Sequence, residues 1–439
     1  MAGRTNGNAG LAPLNPPSTE IIMLRTLALF AVFAATIFDA AKANADDQLV
    51  VQPAAAGMSA RKLARVDRIM QRLVKDGQLP GAVVLVSRHG QIAHLESYGY
   101  RNIENKVPMT DNTIFRIYSM TKSLTSAVVL MLVEDGKLNL DAPVSQFIPE
   151  FADVKVHTNN GGRTPKRPPT VRDLLRHTSG LTYGLFGDSA VDREYRDAQV
   201  LSPDDDLPAF SVKVGRLPLE FDPGTQWKYS VASDVLGRII EVVADASFEE
   251  VLQDRLLTPL KMVDTGFHVP DEKSDRFATV YSADESDELK AVDLPETSSF
   301  RKAPKFLSGG GGLVSTIHDY FRFLLMISHG GSYEGGRLLS RESIRLMTTN
   351  QLSQDVKWIR FGDDIRHGVG FGLGFSVRQE MSKWDPDGRI GEYGWGGAAS
   401  THYWISPKDD LIVITMEQVK PYSFLTERAI KKAVYDAIE

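Results

Sequence analysis

The chain contains no cysteine. Disulfides, thiolate metal sites and a cysteine nucleophile are therefore excluded. Other signatures are missing too. No Gly-x-Ser-x-Gly elbow occurs, which argues against a standard α/β-hydrolase. The nine histidines show no His-Glu-x-x-His or related ligand spacing, so metal catalysis has no support and no cofactor is expected. There is no Gly-x-Gly-x-x-Gly and no Walker A motif, and the glycine run 309–312 has no Lys-Ser/Thr after it. An excess of one charge is also lacking: 50 basic and 56 acidic residues leave −6, which argues against nucleic acid as a main partner.

Long hydrophobic runs are scarce, with one exception near the N-terminus. Met23-Leu24-Arg25 leads into an apolar stretch from Leu27 to Phe38. Ala43-Asn44-Ala45 and Asp46-Asp47 follow. Charged, apolar and small-x-small segments in that order predict an export signal. The stretch is too short for a comfortable membrane span. Residues 1–45 are thus expected to be a leader and signal peptide. Cleavage would make the protein periplasmic or secreted with no stable membrane insertion; without it the protein would be cytoplasmic. An uncleaved anchor is the alternative, and translation from Met23 would account for the polar leader.

What remains is a long chain, 439 residues with 42% hydrophobic content, enough for a substantial core. Apolar residues at helical spacing mark a helix over 59–76, with Ser59 as N-cap. Residues 81–100 read as a hairpin turning at His89-Gly90. Residues 152–170 and 270–305 read as surface loop, 232–257 as helical, 317–328 as a helix, 373–377, 402–406 and 411–416 as strands, and 424–438 as a closing helix. Strands at both ends and helices between them predict an antiparallel sheet with an inserted helical region. The expected segments are 46–135 and 306–439 for the two parts of an α/β domain, and 136–305 for the insertion.

The chemistry lies in Ser119-Met120-Thr121-Lys122. On a helix, residues three apart share a face, so the amine can meet the hydroxyl. A serine hydroxyl needs a neighbouring base, and a buried amine can be one. Ser-x-x-Lys also occurs at Ser59 and Ser299, but in polar or proline-ended contexts. Ser119 alone opens an apolar run, Leu124 to Leu132, closed by Gly136. Taken alone, the tetrad also fits an ordinary helix start with a solvent-reaching lysine. Two more segments supply parts an acylase needs. Tyr229 stands just before the 232 helix, and a tyrosine beside a cationic lysine gives up its proton more readily. Gly394-Trp395-Gly396-Gly397-Ala398 is a glycine-rich strand entry where a substrate could approach the backbone. A core tyrosine and a simple bulge are the alternatives.

Together these segments resemble the serine β-lactamase and DD-peptidase superfamily, closest to the class C β-lactamase-like esterases known as family VIII carboxylesterases. The resemblance runs from about residue 58 to 438. It rests on Ser119 to Lys122, His177-Thr178-Ser179-Gly180-Leu181, Pro223-Gly224-Thr225 through Tyr229-Ser230-Val231, Gly309 to Thr316, and Trp395-Gly396-Gly397. It implies a β-lactamase/transpeptidase-like α+β fold. Ser119 would be the acylated nucleophile, Lys122 its helper and Tyr229 the general base and acid. The backbone N–H groups of Ser119 and Ala398 would form an oxyanion hole. Which of Lys122 and Tyr229 holds the proton stays open. Two departures bear on substrate: Val231 stands where β-lactamases carry Asn, and Trp395 where they carry Lys. Each lost polar partner weakens β-lactam binding by roughly 1–3 kcal/mol. The expectation is a carboxylesterase for small-molecule, short-chain esters, with weak β-lactam hydrolysis at most. A β-lactamase or D-alanyl-D-alanine peptidase, and a non-catalytic cell-wall sensor, are the alternatives.

Overall fold

A computed structural model describes residues 50–439. The leader and signal segment expected over 1–45 lies outside the described residues. Among the described residues no helix is long and apolar enough to cross a membrane.

Residues 51–439 form one compact unit around an eight-stranded antiparallel sheet. Its strands are β1 (Gly81–Arg88), β2 (Gln91–Asn102), β3 (Val107–Pro108), β4 (Val369–Phe371), β5 (Ser376–Arg378), β6 (Tyr393–Gly396), β7 (His402–Ser406) and β8 (Leu411–Glu417). The spatial order is β4-β5-β6-β7-β8-β1-β2-β3. The two chain ends meet where β1 pairs with β8, Leu85 opposite Ile414. That pairing closes about 330 residues of chain, so it forms only when the whole unit collapses.

β1 is apolar on both faces because both are covered. On one side α1 (Ala60–Lys75) and α5 (Leu425–Asp436) lay Val66, Met70, Ile430 and Val434 over Val84, Val86 and Val413. On the other lie α2 (Thr121–Glu134) and α4 (Ile317–Ser328). Tyr403 of β7 links them to the sheet: its hydroxyl bonds Ser123 Oγ at 2.6 Å, and its ring meets Tyr320 at 5.2 Å. Residues 121–132 of α2 are all buried, so this helix is core on every side rather than amphipathic. Its first turn is thereby held against the sheet.

Several expectations need correction. The stretch 270–305 is not loop throughout. Val280–Ala283 and Leu289–Asp293 are strands, in a small sheet with Val419–Lys420. Their short, charged sequence alternates weakly, and the pairing partner lies over a hundred residues away. Residues 232–257 are not one helix. The helix α3 (Ala232–Ala244) ends at Asp245, whose φ is +54°, and a capping box of Ser247 and Glu250 starts the next. Residues 373–375 are the turn between β4 and β5 rather than strand. The surface connection contains a hairpin, Val156–Thr158 with Gly161–Arg163. Ser59 occupies the N-cap position of α1, but its side chain makes no capping bond.

One titratable group is built into the core. Glu417, at the end of β8, is 1% exposed and accepts a 2.5 Å bond from Thr426. Burial pushes its pKa up to about 8. A carboxyl whose folded value is raised favours the protonated fold, so its contribution declines as pH rises from the ordinary carboxylate range towards 8. Glu417→Gln is expected to raise the melting temperature relative to wild type at pH 8.5, by an effect on the order of 1–3 kcal/mol. At pH 5 the gap should nearly close. A gap that widens on acidification would contradict this assignment.

Candidate active site

The serine sits at a strained entry to the central helix. Tyr118–Met120 form a 3₁₀ turn leading into α2, and Tyr118 has φ +38°. A tyrosine held in the left-handed region is uncommon and marks a site whose surroundings enforce it. The turn itself is fixed from outside: the Tyr320 hydroxyl donates to the Met120 carbonyl at 3.0 Å.

The i, i+3 geometry then works as the spacing requires. Lys122 Nζ lies 3.3 Å from Ser119 Oγ. It also donates to Tyr183 Oη at 3.0 Å and to the Gly310 carbonyl at 2.6 Å. The side chain is almost fully buried. An ammonium has three donors, and here each has an acceptor. The snorkelling alternative is thus excluded: the lysine points into the protein and ends at the serine. The other two Ser-x-x-Lys sequences carry no such cluster.

Tyr229 arrives from 110 residues away, and its hydroxyl is 2.7 Å from Ser119 Oγ. It lies on a segment without regular secondary structure before α3, in which neighbouring side chains face different ways. Trp227 and Tyr229 stack, with ring centroids 6.1 Å apart, while Lys228 turns away to Asp192 at 3.0 Å and Glu220 at 2.5 Å. The Lys122 ammonium lies 4.6 Å from the Tyr229 ring centroid. His177 packs behind the tyrosine at 5.0 Å. Burial, and then the Lys122 charge, hold this imidazole well below its usual range, so it is neutral and acts as packing.

The glycine-rich entry closes the opposite wall. β6 runs to Gly396, and Trp395, Gly396, Gly397 and Ala398 line the same cavity as Ser119 and Tyr229. Gly397 is needed for its close approach: a β-carbon there would collide with the Ile117 carbonyl two residues before the serine. The cavity measures about 860 Å³. Phe186, Phe361, Trp395 and Phe424 make much of its wall.

Three residues of the site escaped the sequence reading. Tyr183 takes one of the lysine's donors, from a segment with no helical or strand signal. Burial, then the neighbouring Asp234 and Tyr229, push its hydroxyl pKa well up, so it stays a neutral phenol. Gly310, inside the glycine run, turns its carbonyl to Lys122 and receives its own position from Asp234, whose Oδ1 accepts from the Gly310 N–H at 3.0 Å. Asp234 is wholly buried at the start of α3. Burial raises its pKa, opposed by the Lys122 charge. The glycine run was visible in the sequence; its role as a carbonyl acceptor for the lysine was not.

The Beta-lactamase family matches residues 66–435. The chain belongs to that family. Among curated relatives, Protein Rv1367c of Mycobacterium tuberculosis is 38% identical over 357 residues, 79% of this chain and 87% of its own length. Esterase EstB of Burkholderia gladioli is 33% identical over 291 residues, 62% of this chain and 72% of that one. Among solved structures, EstCE1, described as a hydrolase with promiscuous acyltransferase activity, superposes with a TM-score of 0.72 at 27% identity. That match covers 85% of this chain and 99% of EstCE1. This beta-lactamase-family protein is accordingly a serine hydrolase with the fold its sequence pattern implied.

Proposed function

We propose that the protein is a carboxylesterase that cleaves short-chain esters through an acyl-enzyme on Ser119. The observation carrying this reading is the meeting of Ser119 Oγ with the Tyr229 hydroxyl at 2.7 Å and Lys122 Nζ at 3.3 Å, on a cavity walled by Trp395 and other aromatic rings. Lys122 spends its donors on Ser119, Tyr183 and Gly310, which fixes its Nζ beside the serine. Tyr229, whose hydroxyl lies 2.7 Å from Ser119 Oγ, is then the group that takes the Ser119 proton as the serine attacks. The serine oxygen attacks the ester carbonyl, and the N–H groups of Ser119 and Ala398 receive the developing oxyanion. Tyr229 returns the proton to the departing alkoxide. Water, deprotonated by Tyr229, then attacks the acyl-serine and releases the acid, returning the proton to Ser119.

The substrate class follows from what faces the serine. Trp395 gives an apolar wall where a cation would draw a β-lactam carboxylate, and Val231 offers no side-chain amide for an acylamide group. The esterase names among the relatives agree. Wild-type kcat/KM for p-nitrophenyl butyrate is expected to exceed that for nitrocefin by about 10²-fold or more. A preference for nitrocefin would favour the β-lactamase or peptidase reading, and a stable adduct by mass spectrometry without turnover would favour a sensor. The resemblance to EstCE1 supports a second outcome from the same intermediate. An alcohol replaces water, and benzyl alcohol added to the assay should yield benzyl butyrate.

Gly310 offers a test of the lysine's cradle. A β-carbon there would stand 2.6 Å from Asp234 Oδ2 and 2.7 Å from Tyr183 Oη. Gly310→Ala is expected to lower kcat/KM for p-nitrophenyl butyrate by about tenfold or more, because Lys122 loses its carbonyl anchor. Unchanged kinetics would show that the cradle tolerates displacement.

A further inference from the structure

Among the described residues, the cavity wall contains a buried arginine with no carboxylate in ion-pair range. Arg366 follows a short hairpin, Arg360–Phe361 with Asp364–Ile365, and its N–H is tied to the Ile359 carbonyl at 3.0 Å. It is 7% exposed. Its guanidinium carbon lies 4.3 Å from the Phe361 ring centroid, 4.9 Å from Phe424 and 5.7 Å from Trp395. Nε is buried without a hydrogen-bond partner. Among the described residues no carboxylate oxygen comes within the 4.0 Å of an ion pair with it. The acids of the adjoining polar cluster are engaged elsewhere: Asp385, Glu392 and Glu427 bond Lys431 at 2.7, 3.2 and 3.1 Å. Asp364 also lines the cavity but is exposed to water. Arg428, exposed and also lining the cavity, adds a second positive charge.

An arginine removed from water needs compensation. Aromatic faces supply part of it through cation–π attraction, and the Tyr422 hydroxyl supplies a further part through its charge and hydrogen-bond interaction with Arg366, which opposes the rise that burial gives that phenol's pKa. None of this matches a carboxylate, for which the planar fork of guanidinium donors is shaped. The same cavity holds Ser119. We infer that Arg366 selects substrate: the enzyme prefers esters that carry a carboxylate on the part of the molecule lying along the Trp395–Phe424 wall. The inference rests on the esterase reading and deepens it. It also returns a cation to a wall where Trp395 removed one, but from a different strand connection and embedded among rings, so it favours aromatic or compact acids.

The test compares 3- and 4-acetoxybenzoate with the matching neutral 3- and 4-acetoxybenzamides. Wild type is expected to favour at least one benzoate isomer in kcat/KM, with the difference in KM. Arg366→Met should lower that anionic-to-neutral ratio by about tenfold, and Arg366→Lys, which keeps the charge but loses the fork and the ring stacking, should fall between Met and wild type. A ratio unchanged in Arg366→Met, or a wild type that favours both benzamides, overturns the inference. Should Arg366→Met fail to fold, competitive inhibition of wild type by benzoate and benzamide decides: tighter benzoate supports it, equal or weaker benzoate overturns it. The esterase reading fails separately, if Ser119→Ala hydrolyses the acetoxybenzamides as well as wild type does. Calorimetric binding of benzoate against benzamide to that same variant then still answers for Arg366.

Discussion

Ser119→Ala is expected to lower kcat/KM for p-nitrophenyl butyrate by about 10⁴-fold or more, with no change in folding. The size of the effect follows from what is lost. Without Oγ no acyl-enzyme can form, and the remaining route is direct attack by water on an ester held in the cavity. Cavity binding and the oxyanion donors survive, so a small residual rate is consistent with the mechanism. The substitution removes one oxygen at the end of a 3₁₀ turn held by other bonds, including Tyr320 to Met120. The melting temperature should therefore stay close to wild type. Mass spectrometry after brief mixing with substrate gives an independent readout: wild type gains the butyryl mass transiently and the variant does not. Activity within tenfold of wild type, on purified protein, would remove Ser119 from the reaction.

Tyr229→Phe comes next in expected size. The ring would keep its packing, at 5.1 Å from Phe361, 5.2 Å from Tyr183 and 5.6 Å from Trp395. Only the hydroxyl 2.7 Å from Ser119 disappears. General acid–base catalysis of this kind contributes about 10²–10⁴-fold, and the loss should fall in kcat because the group acts on a proton in flight. The leaving group distinguishes this role from simple positioning. A p-nitrophenolate departs without a proton, whereas an alkyl alkoxide needs one. Tyr229→Phe should thus damage ethyl butyrate hydrolysis more than p-nitrophenyl butyrate hydrolysis, where acylation needs only the base. Equal losses on both esters would reduce Tyr229 to a base in attack alone. No loss would transfer the proton chemistry to Lys122.

How much of this site was legible depends on how far apart its members are along the chain. Ser119 and Lys122 are three residues apart, and helical geometry alone puts them together. Tyr229 and the Trp395–Ala398 entry stood out because their residue types suit the chemistry, and the resemblance placed them in order. Tyr183 had no such signal. It is one aromatic in a segment without periodicity, and its partner is a lysine 61 residues away. Asp234 looked like an ordinary first-turn acid of α3, and only the fold shows it buried under the lysine. Arg366 was invisible for a different reason. What matters about it is the carboxylate that fails to reach it, and an absence of neighbours cannot be read along a chain.

The same division holds for the architecture. The sequence by itself determined the elements whose signal lies within a few residues: α1 from its helical spacing, the β1–β2 hairpin from two apolar runs about His89-Gly90, α4 at 317–328, and the meeting of Ser119 and Lys122 at the start of α2. It also determined the lack of thiol chemistry. Only the tertiary structure decided where the helix over 232–257 breaks, that 280–293 joins Val419 in a small sheet, and which hydroxyls, carbonyls and charges converge on Lys122. Local periodicity is a property of neighbouring residues and survives in isolation. Convergence requires β1 to pair with β8 across nearly the whole unit, and that closure exists only once the sheet is complete and both its faces are covered.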